Sequence, residues 1–279
     1  MTSITPTRPA RPVAPWIGGK RLLADRLAAR IAAIPHSIYA EPFVGMGGVF
    51  LRRPFRAPTE VVNDISGDVI TLFRVLQRHY VAFLDMLRFQ ITSRAEFERL
   101  ARVEPDTLTD LERAARFLYL QRVAYGGKVT GRNFGVSIET PGSRFDITRL
   151  QPMLEEVHER LAGVTIERLP WAELIARYDH PEALFYLDPP YWGCETDYGA
   201  GIFGRDDFGR MAEVLAQIKG RFLLSINDKP EVREIFAAFP MEEVRLSYTI
   251  GSGAVSAAEL IIGGAGEAEL PGPLFGGTG

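Results

Sequence analysis

Short apolar runs alternate along this chain with segments in which apolar residues recur every three or four positions. Those runs have the length of buried strands, and they lie at 38–44, 60–64, 164–166, 183–187, 221–226, 244–248 and 259–262. Most of the intervals between the runs show the apolar spacing of a helix. Parallel strands need a connection of this length, usually a helix, to cross from one strand to the next. The alternation therefore predicts a mostly parallel sheet with helices on both faces. No helix-length segment separates the last two runs, which predicts an antiparallel hairpin at one edge.

One interval is much longer than a single strand–helix–strand step requires. Between the runs at 60–64 and 164–166 there are several helical patterns and a glycine-rich stretch. We therefore predict a mainly helical lobe over 67–162, inserted into a catalytic domain formed by 16–66 and 163–262. The helical patterns in this interval lie at 68–90, 95–101, 108–125 and 147–161.

Both ends of the chain have compositions that predict little fixed structure. Residues 1–15 carry four prolines among small and polar residues, so we expect a disordered tail up to Trp16. Residues 263–279 are rich in glycine, and we expect them to be flexible as well.

The overall composition narrows the class of protein. The 279 residues are 46% hydrophobic and suit a buried core, but no apolar run reaches the roughly 20 residues of a membrane span. A single cysteine, Cys194, excludes a disulfide framework and a Cys-rich zinc site and fits a cytoplasmic location. The four histidines share no metal-ligand spacing, so we predict no metal. Nothing in the sequence requires more than a monomer.

Two glycines follow the first predicted strand, in Phe43-x-Gly45-x-Gly47. Glycines at such a turn let a ligand approach the backbone amides. Phe50 stands where the dinucleotide fingerprint has its third glycine, which argues against pyrophosphate binding. Asp64 ends the next strand, where a carboxylate can accept hydrogen bonds from both hydroxyls of a ribose. The pair of motifs predicts a nucleoside site.

The run Asp188-Pro189-Pro190-Tyr191 directly follows the apolar strand at 183–187. Two prolines remove two backbone donors and fix two φ angles, so the Asp188 carboxylate and the Pro189 carbonyl are held as rigid acceptors. An exocyclic amino group such as N6 of adenine has two N–H donors that match these acceptors. The ring of Tyr191 offers a flat face for stacking. We predict that these four residues bind the reacting amine.

These motifs, in this order, resemble those of the Dam-type DNA adenine-N6 methyltransferases. The resemblance covers about 16–262 and also includes Trp16-x-Gly-Gly-Lys20, Phe117–Arg122 before the glycine-rich stretch, and Leu224–Asp228. It implies a Rossmann-like sheet and an S-adenosylmethionine-dependent enzyme that methylates adenine in a specific DNA sequence, by base flipping and in-line transfer. The cofactor-contacting positions that it implies are Trp16, Lys20, Phe43, Gly45, Gly47, Asp64 and Asp188.

Double-stranded DNA is the expected partner, although the formal net charge is −3. Residues 113–149 have a local excess of positive charge, with seven basic side chains against two acidic ones. We predict that this segment reads the target, with Tyr125, Lys128, Arg132 and Asn133 contacting bases or phosphates. Two alternatives remain open: a methyltransferase acting on adenine in RNA or on another planar amine, and a non-catalytic DNA-binding relative.

Overall fold

The computed structural model describes residues 4–16, 18–20, 22–124, 129, 131–135, 145–199, 201–250 and 253–265. The strands are β1 (Thr5–Pro6), β2 (Ile38–Glu41), β3 (Phe55–Arg56), β4 (Thr59–Asn63), β5 (Thr165–Glu167), β6 (Ala183–Leu187), β7 (Arg221–Asn227), β8 (Met241–Ile250) and β9 (Gly253–Ala265). The helices are α1 (Ala24–Ala33), α2 (Gly67–Arg78), α3 (Tyr80–Leu87), α4 (Arg94–Arg102), α5 (Asp110–Val123), α6 (Ile147–Leu161), α7 (Trp171–Tyr178), α8 (Arg205–Leu215) and α9 (Pro230–Ile235).

Seven of these strands form one sheet in the order β5-β4-β2-β6-β7-β9-β8. The first five run parallel, and β9 is antiparallel to both β7 and β8. The predicted mostly parallel sheet with an antiparallel edge hairpin is thus confirmed. The chain leaves β2 for β4 on one side and later forms β6 on the other side. The strand order therefore switches direction at β2, where open α/β sheets bind their ligands.

Strand β6, near the middle of the sheet, is apolar throughout because both faces of the sheet are covered. Alternate residues of a strand point to opposite faces. In β6, Leu184 and Tyr186 belong to one buried cluster with side chains of α1, α2, α5 and α6. Phe185 and Leu187 belong to a second cluster, with side chains of α7, α8 and α9. This two-sided burial explains why β6 reads as a continuous apolar run.

The helices α2 to α6 occupy the interval predicted as a separate lobe. Their buried side chains, among them Leu76, Phe83, Leu118 and Leu154, belong to the same cluster as the face of the sheet that carries Leu184. The helices therefore cover one side of the sheet and share its core. A role of this region in reading DNA stays a prediction.

The helical pattern predicted over 68–90 is divided in the structure. Helix α2 ends at Arg78, and α3 begins at Tyr80, because His79 has a non-helical backbone with φ −128° and ψ 29°. Nδ1 of His158, on α6, donates to the carbonyl oxygen of Leu76 at 2.8 Å. In a continuous helix that carbonyl would accept from residue 80. A tertiary contact thus takes the partner that an uninterrupted helix would need.

The N-terminal segment differs from the expected disordered tail. Over residues 4–15 the chain is placed against the core, with Ala10, Val13 and Ala14 no more than 4% exposed. Strand β1 pairs with β3, and the amide of Ala10 donates to the carbonyl of Leu51 at 2.8 Å. The composition did not indicate this packing, in which small residues between the prolines join the main buried cluster. At the other end, β9 continues to Ala265, three residues into the segment expected to be flexible; residues 266–279 lie outside the described part.

The packing of the N-terminal segment predicts an asymmetry between two aspartate substitutions. Val13→Asp buries an unpaired carboxylate and is expected to lower the free energy of unfolding by about 3 kcal/mol or more. Thr5→Asp makes the same change of charge at an exposed position of β1 and should alter it by less than about 0.5 kcal/mol. Urea unfolding followed by circular dichroism measures both; equal, small effects would mean that the segment is not packed.

Candidate active site

A cleft of about 1410 Å³ opens along the edge of the sheet where the parallel strands end. Its walls come from the turn after β2, the end of β4, the segments after β5 and β6, and the N-terminal segment. The predicted site residues that line it are Trp16, Lys20, Phe43, Gly45, Asp64, Asp188 and Pro190. The fold thus brings together residues that are up to 174 positions apart in the chain.

The turn after β2 is held by the carboxylate of Asp64. Its Oδ2 accepts from the amide of Gly45 and its Oδ1 from the amide of Ser66, both at 2.9 Å. Gly45 and Gly47 have φ of +50° and +74°, the left-handed region that favours glycine. Phe43 lies edge-on to Phe203, 5.9 Å away between ring centroids. Burial raises the pKa of Asp64 to about 6, although the two amides oppose this.

Trp16 lies directly over Gly45. A Cβ atom at position 45 would fall 2.6 Å from the indole nitrogen, so the turn requires glycine here for space as well as for its φ angle. At Gly47, a Cβ atom would fall 2.8 Å from Leu51 instead. The indole ring packs edge-on against Phe117 of α5, 6.2 Å between centroids. Trp16 and Gly45 therefore form one wall of the cleft.

A buried lysine connects two residues of the Asp188-Pro-Pro-Tyr191 segment. Lys20 is 4% exposed. Its Nζ lies 2.6 Å from Oδ1 of Asp188, donates to the hydroxyl of Tyr191 at 2.5 Å, and lies 4.2 Å from the centroid of the Tyr191 ring. The sequence placed Lys20 beside the cofactor; the structure shows its ammonium bound to the predicted amine-binding residues.

The two oxygens of Asp188 have different surroundings. Oδ1 contacts the ammonium of Lys20 and also accepts a hydrogen bond from the hydroxyl of Ser225 at 3.3 Å. No group in the described part of the chain donates a hydrogen bond to Oδ2, and the side chain is 22% exposed, on the cleft. Burial raises the pKa of Asp188 to about 6, which Lys20 partly counteracts. One oxygen is therefore fixed by the protein and the other is available to a ligand.

Strand β7 supplies residues that the sequence reasoning did not assign. Ser225 also hydrogen-bonds to the hydroxyl of Tyr186, at 2.7 Å. The Asn227 side chain accepts from the amide of Trp192 at 2.9 Å and donates to its carbonyl at 3.0 Å, which fixes the chain just after Tyr191. The signal was the run Leu224–Asp228, noted as a motif without residue roles. Of the four predicted amine-binding residues, Pro189 and Pro190 are buried, and Tyr191 is half-buried.

Glu41, at the end of β2, is a further carboxyl group of the cleft, which the sequence reasoning passed over. It is 1% exposed and accepts from the hydroxyl of Tyr39 at 2.5 Å. Burial raises the pKa of Glu41 to about 8, against the hydrogen bond from Tyr39. The side chain is therefore mostly protonated at neutral pH. The detectable signal was an acidic residue inside an otherwise apolar strand.

The four predicted DNA-contacting residues are only partly placed. Tyr125 and Lys128 lie outside the described residues, and Asn133 is exposed. Arg132 points inward: its guanidinium donates to Oε1 of Gln121 at 3.2 Å and lies 5.9 Å from the Phe117 ring. Burial lowers the pKa of Arg132 to about 10.

The basic excess counted over 113–149 is smaller on the surface than in the sequence. Arg113 pairs with Asp68 at 2.7 Å and with Asp106 at 2.6 Å. Arg116 is buried and donates to the carbonyl of Leu100 at 2.7 Å. Composition counts charges, but only the fold shows which of them are used in helix packing.

Comparison with known proteins identifies the family. A model of the D12 class of N6 adenine-specific DNA methyltransferases matches residues 16–250. The chain belongs to this family. It is 24% identical over 243 residues to the type II methyltransferase M.CviBI of Paramecium bursaria Chlorella virus NC1A, covering 85% of this chain and 91% of that protein. It is 28% identical over 251 residues to the DNA adenine methylase of Escherichia coli K12, covering 85% and 88%.

The resemblance stated from the motifs is therefore confirmed, and the chain is an adenine-specific DNA methyltransferase. In the described ranges, no helix has the length and apolar character to cross a bilayer. The same ranges contain no cluster of His, Cys, Asp and Glu side chains suited to a metal ion.

The raised pKa of Glu41 predicts a stability difference that depends on pH. Unfolding releases this carboxyl group to its ordinary pKa of 4.5, so the folded state binds more protons between 4.5 and 8, and stability falls as pH rises through that range. Glu41→Gln keeps the neutral shape and removes this loss. We expect the variant to exceed the wild type in unfolding free energy at pH 9 by on the order of 4 kcal/mol, and to match it near pH 4.

Urea unfolding at both pH values measures the difference. Glu173→Gln, at an exposed position of α7, is the matched control and should show no such pH dependence. A Glu41→Gln variant that parallels the wild type from pH 4 to pH 9 would contradict the prediction.

Proposed function

We propose that the cleft binds S-adenosylmethionine beside a flipped adenine and that Asp188 and its neighbours prepare the N6 amino group to receive the methyl group. The observation that carries the proposal is the asymmetric environment of Asp188: Lys20 and Ser225 hold Oδ1, while Oδ2 is left for a donor in the cleft. An exocyclic amine that donates one N–H to Oδ2 and the other to the Pro189 carbonyl satisfies both acceptors.

The residues of the cleft fit this cofactor. Each oxygen of Asp64 accepts one backbone amide and keeps a further lone-pair position for a ribose hydroxyl. The missing Cβ at Gly45 lets the indole of Trp16 pack directly on the turn, which places an aromatic ring in the wall of the cleft. Phe43, Gly47 and Lys20 complete the cofactor-contacting set proposed from the motifs. When bound, the cofactor supplies a methyl group on a positively charged sulfur.

The chemistry required of the protein is to make a weak nucleophile reactive. The lone pair of N6 is delocalised into the adenine ring, and two acceptors that favour a pyramidal nitrogen return electron density to it. Positive charge develops on N6 during transfer, and the Asp188 carboxylate lies where it stabilises that charge. Two prolines hold the acceptors in place, so little reorganisation is needed at the moment of reaction.

The adenine must leave the duplex to reach Oδ2, because N6 of a paired base is engaged and stacked. We assign the reading of the surrounding sequence to the segment 125–133, with Tyr125, Lys128, Arg132 and Asn133. The cytoplasmic location proposed from the single cysteine is consistent with a DNA substrate. RNA methylation by the same cleft is the alternative that the experiment below distinguishes.

Transfer of a labelled methyl group tests the proposal directly. We expect the protein to label duplex DNA at N6 of adenine, and not structured RNA or protein. Asp188→Asn should reduce the single-turnover rate at least about 100-fold without weakening DNA binding, because it removes a charged acceptor from the transition state.

The matched control is Asp228→Asn, which makes the same chemical change at a residue that pairs with Arg233 outside the cleft. It should retain the wild-type rate. Labelling of RNA alone would replace DNA as the substrate, and an unaltered rate for Asp188→Asn would show that the acceptor is misassigned.

The basic residues assigned to DNA predict a change in salt dependence. Replacing Lys128 and Arg132 by Gln should weaken DNA binding and reduce the slope of log K against log salt by about 1, because loss of the Lys128 phosphate contact removes about one released counterion, while the Arg132 guanidinium is held inward by Gln121. Arg177→Gln, on α7 at the opposite face of the sheet, should leave the slope unchanged. The measurement is the DNA-binding constant of each variant between about 50 and 200 mM salt. A wild-type slope in the double variant would place the DNA contacts elsewhere.

A further inference from the structure

The buried ammonium of Lys20 has a second carboxylate neighbour, which lies beyond the residues of the family match. Oε2 of Glu259 lies 3.7 Å from Nζ of Lys20. Glu259 is on β9, nine positions after the match ends at residue 250. It is 4% exposed, although glutamate is rarely buried without a partner. A buried carboxylate at this place therefore calls for an explanation within the site.

The register of the edge hairpin places Glu259 beside the site. Glu259 pairs with Asn227 on β7, whose side chain brackets Trp192. Two positions further along β9, Ile261 pairs with Ser225, the residue that holds Oδ1 of Asp188. Side chains two apart on a strand share one face. Glu259 thus points to the same side of the sheet as Ser225.

Glu259 also reaches the hydroxyl of Tyr191. Burial, the charges of Asp188 and Glu259, and a hydrogen bond between the Tyr191 hydroxyl and Glu259 raise the pKa of Tyr191 far above its usual range. The phenol therefore stays protonated; it accepts from Lys20 and lies under the influence of the neighbouring Glu259 carboxylate. Asp188, Tyr191 and Glu259 thus lie in one cluster around the ammonium of Lys20.

We propose that Glu259 is a positioning residue for methyl transfer, which shares the ammonium of Lys20 with Asp188 and holds the Tyr191 hydroxyl, so that Asp188 keeps its strength as an acceptor. An ammonium paired with Asp188 alone would withdraw electron density from the carboxylate that the amine needs. A second carboxylate divides the pull of that positive charge. This inference rests on the proposed function of Asp188 and adds the residue that sets its charge environment.

Several charged and titratable groups contribute to the acceptor strength of Asp188. From the segment before α1 comes Lys20, which stabilises the ionised carboxylate, while Glu259 on β9 opposes ionisation. The remaining groups that act on Asp188, or on which it acts, are Glu41 on β2, Tyr186 on β6 and Tyr191. Among these groups, Glu259 is the one that lies within a strand of the edge hairpin and acts on both Lys20 and Tyr191.

The test compares Glu259→Gln with Glu259→Asp in the full chain. Glutamine can still accept from the Tyr191 hydroxyl, so it removes the charge and keeps the shape. We expect Glu259→Gln to lower the single-turnover rate about tenfold at pH 8 and to shift the acid limb of the pH–rate profile to lower pH, because the Asp188 carboxyl loses a neighbouring negative charge. The dissociation constant of the cofactor should not change. Glu259→Asp, which keeps the charge, should retain the wild-type acid limb.

The matched control is Glu243→Gln, on the neighbouring strand β8, where the carboxylate pairs with Arg233 and Arg245 at the surface. It should retain the wild-type rate and limb. The inference would be overturned if Glu259→Gln and Glu259→Asp lost rate to the same extent while the acid limb of the pH–rate profile of Glu259→Gln stayed in place. That result would show a structural role. A wild-type rate and limb in Glu259→Gln would overturn the inference as well.

A second measurement does not depend on catalysis. The carboxyl carbon of Asp188, labelled with carbon-13 and assigned by its absence in Asp188→Asn, reports its titration by NMR. We expect its midpoint to move to lower pH in Glu259→Gln and to stay in place in Glu259→Asp and Glu243→Gln; an unmoved midpoint in Glu259→Gln would contradict the inference. A wild-type protein that transfers no methyl group would contradict the proposed function, while this titration would still decide the role of Glu259.

Discussion

A buried ammonium ion among carboxylate and phenol oxygens is the interaction on which this site depends. Lys20 is almost fully removed from solvent, and a buried charge without partners would be strongly unfavourable. Its partners come from the segment after β6 and from β9, 168 and 239 positions further along the chain. Folding must therefore bring these three segments together, and the same contacts orient the carboxylate of Asp188. The contacts that satisfy the lysine therefore also orient the carboxylate that we propose as the acceptor.

A second set of hydrogen bonds fixes the floor of the cleft. Asp64 joins the turn at Gly45 to the start of α2 through Ser66. Its neighbour Asn63 donates to the carbonyls of Pro42 and Leu169 and accepts from the amide of Leu169. The loops that follow three adjacent strands are thereby linked by two consecutive side chains. Such a floor is formed before a ligand arrives, which reduces the ordering that binding would require.

The helices between β4 and β5 belong to the same packed body as the sheet. One buried cluster includes side chains of these helices, of the sheet and of the N-terminal segment. Gln121 of α5 accepts from Arg132 and donates to the carbonyl of Pro15, next to Trp16. A short series of contacts therefore connects the segment assigned to DNA with the wall of the cleft assigned to the cofactor. On the proposed function, both substrates would contact elements that share one buried core.

The sequence alone determined the sheet and marked several residues that the fold brings to the cleft, because these signals depend on local patterns. Strand lengths, helical spacing and the prolines after β6 act over a few residues, and β6 was predicted with the bounds observed. What the local patterns did not contain was which distant groups meet. The pairing of Lys20 with Asp188, the approach of Glu259, the inward direction of Arg132 and the packing of residues 4–15 all join positions far apart in the chain. They were decided only by the tertiary structure, because burial determines which charges must find partners, and the order of strands determines which partners are within reach.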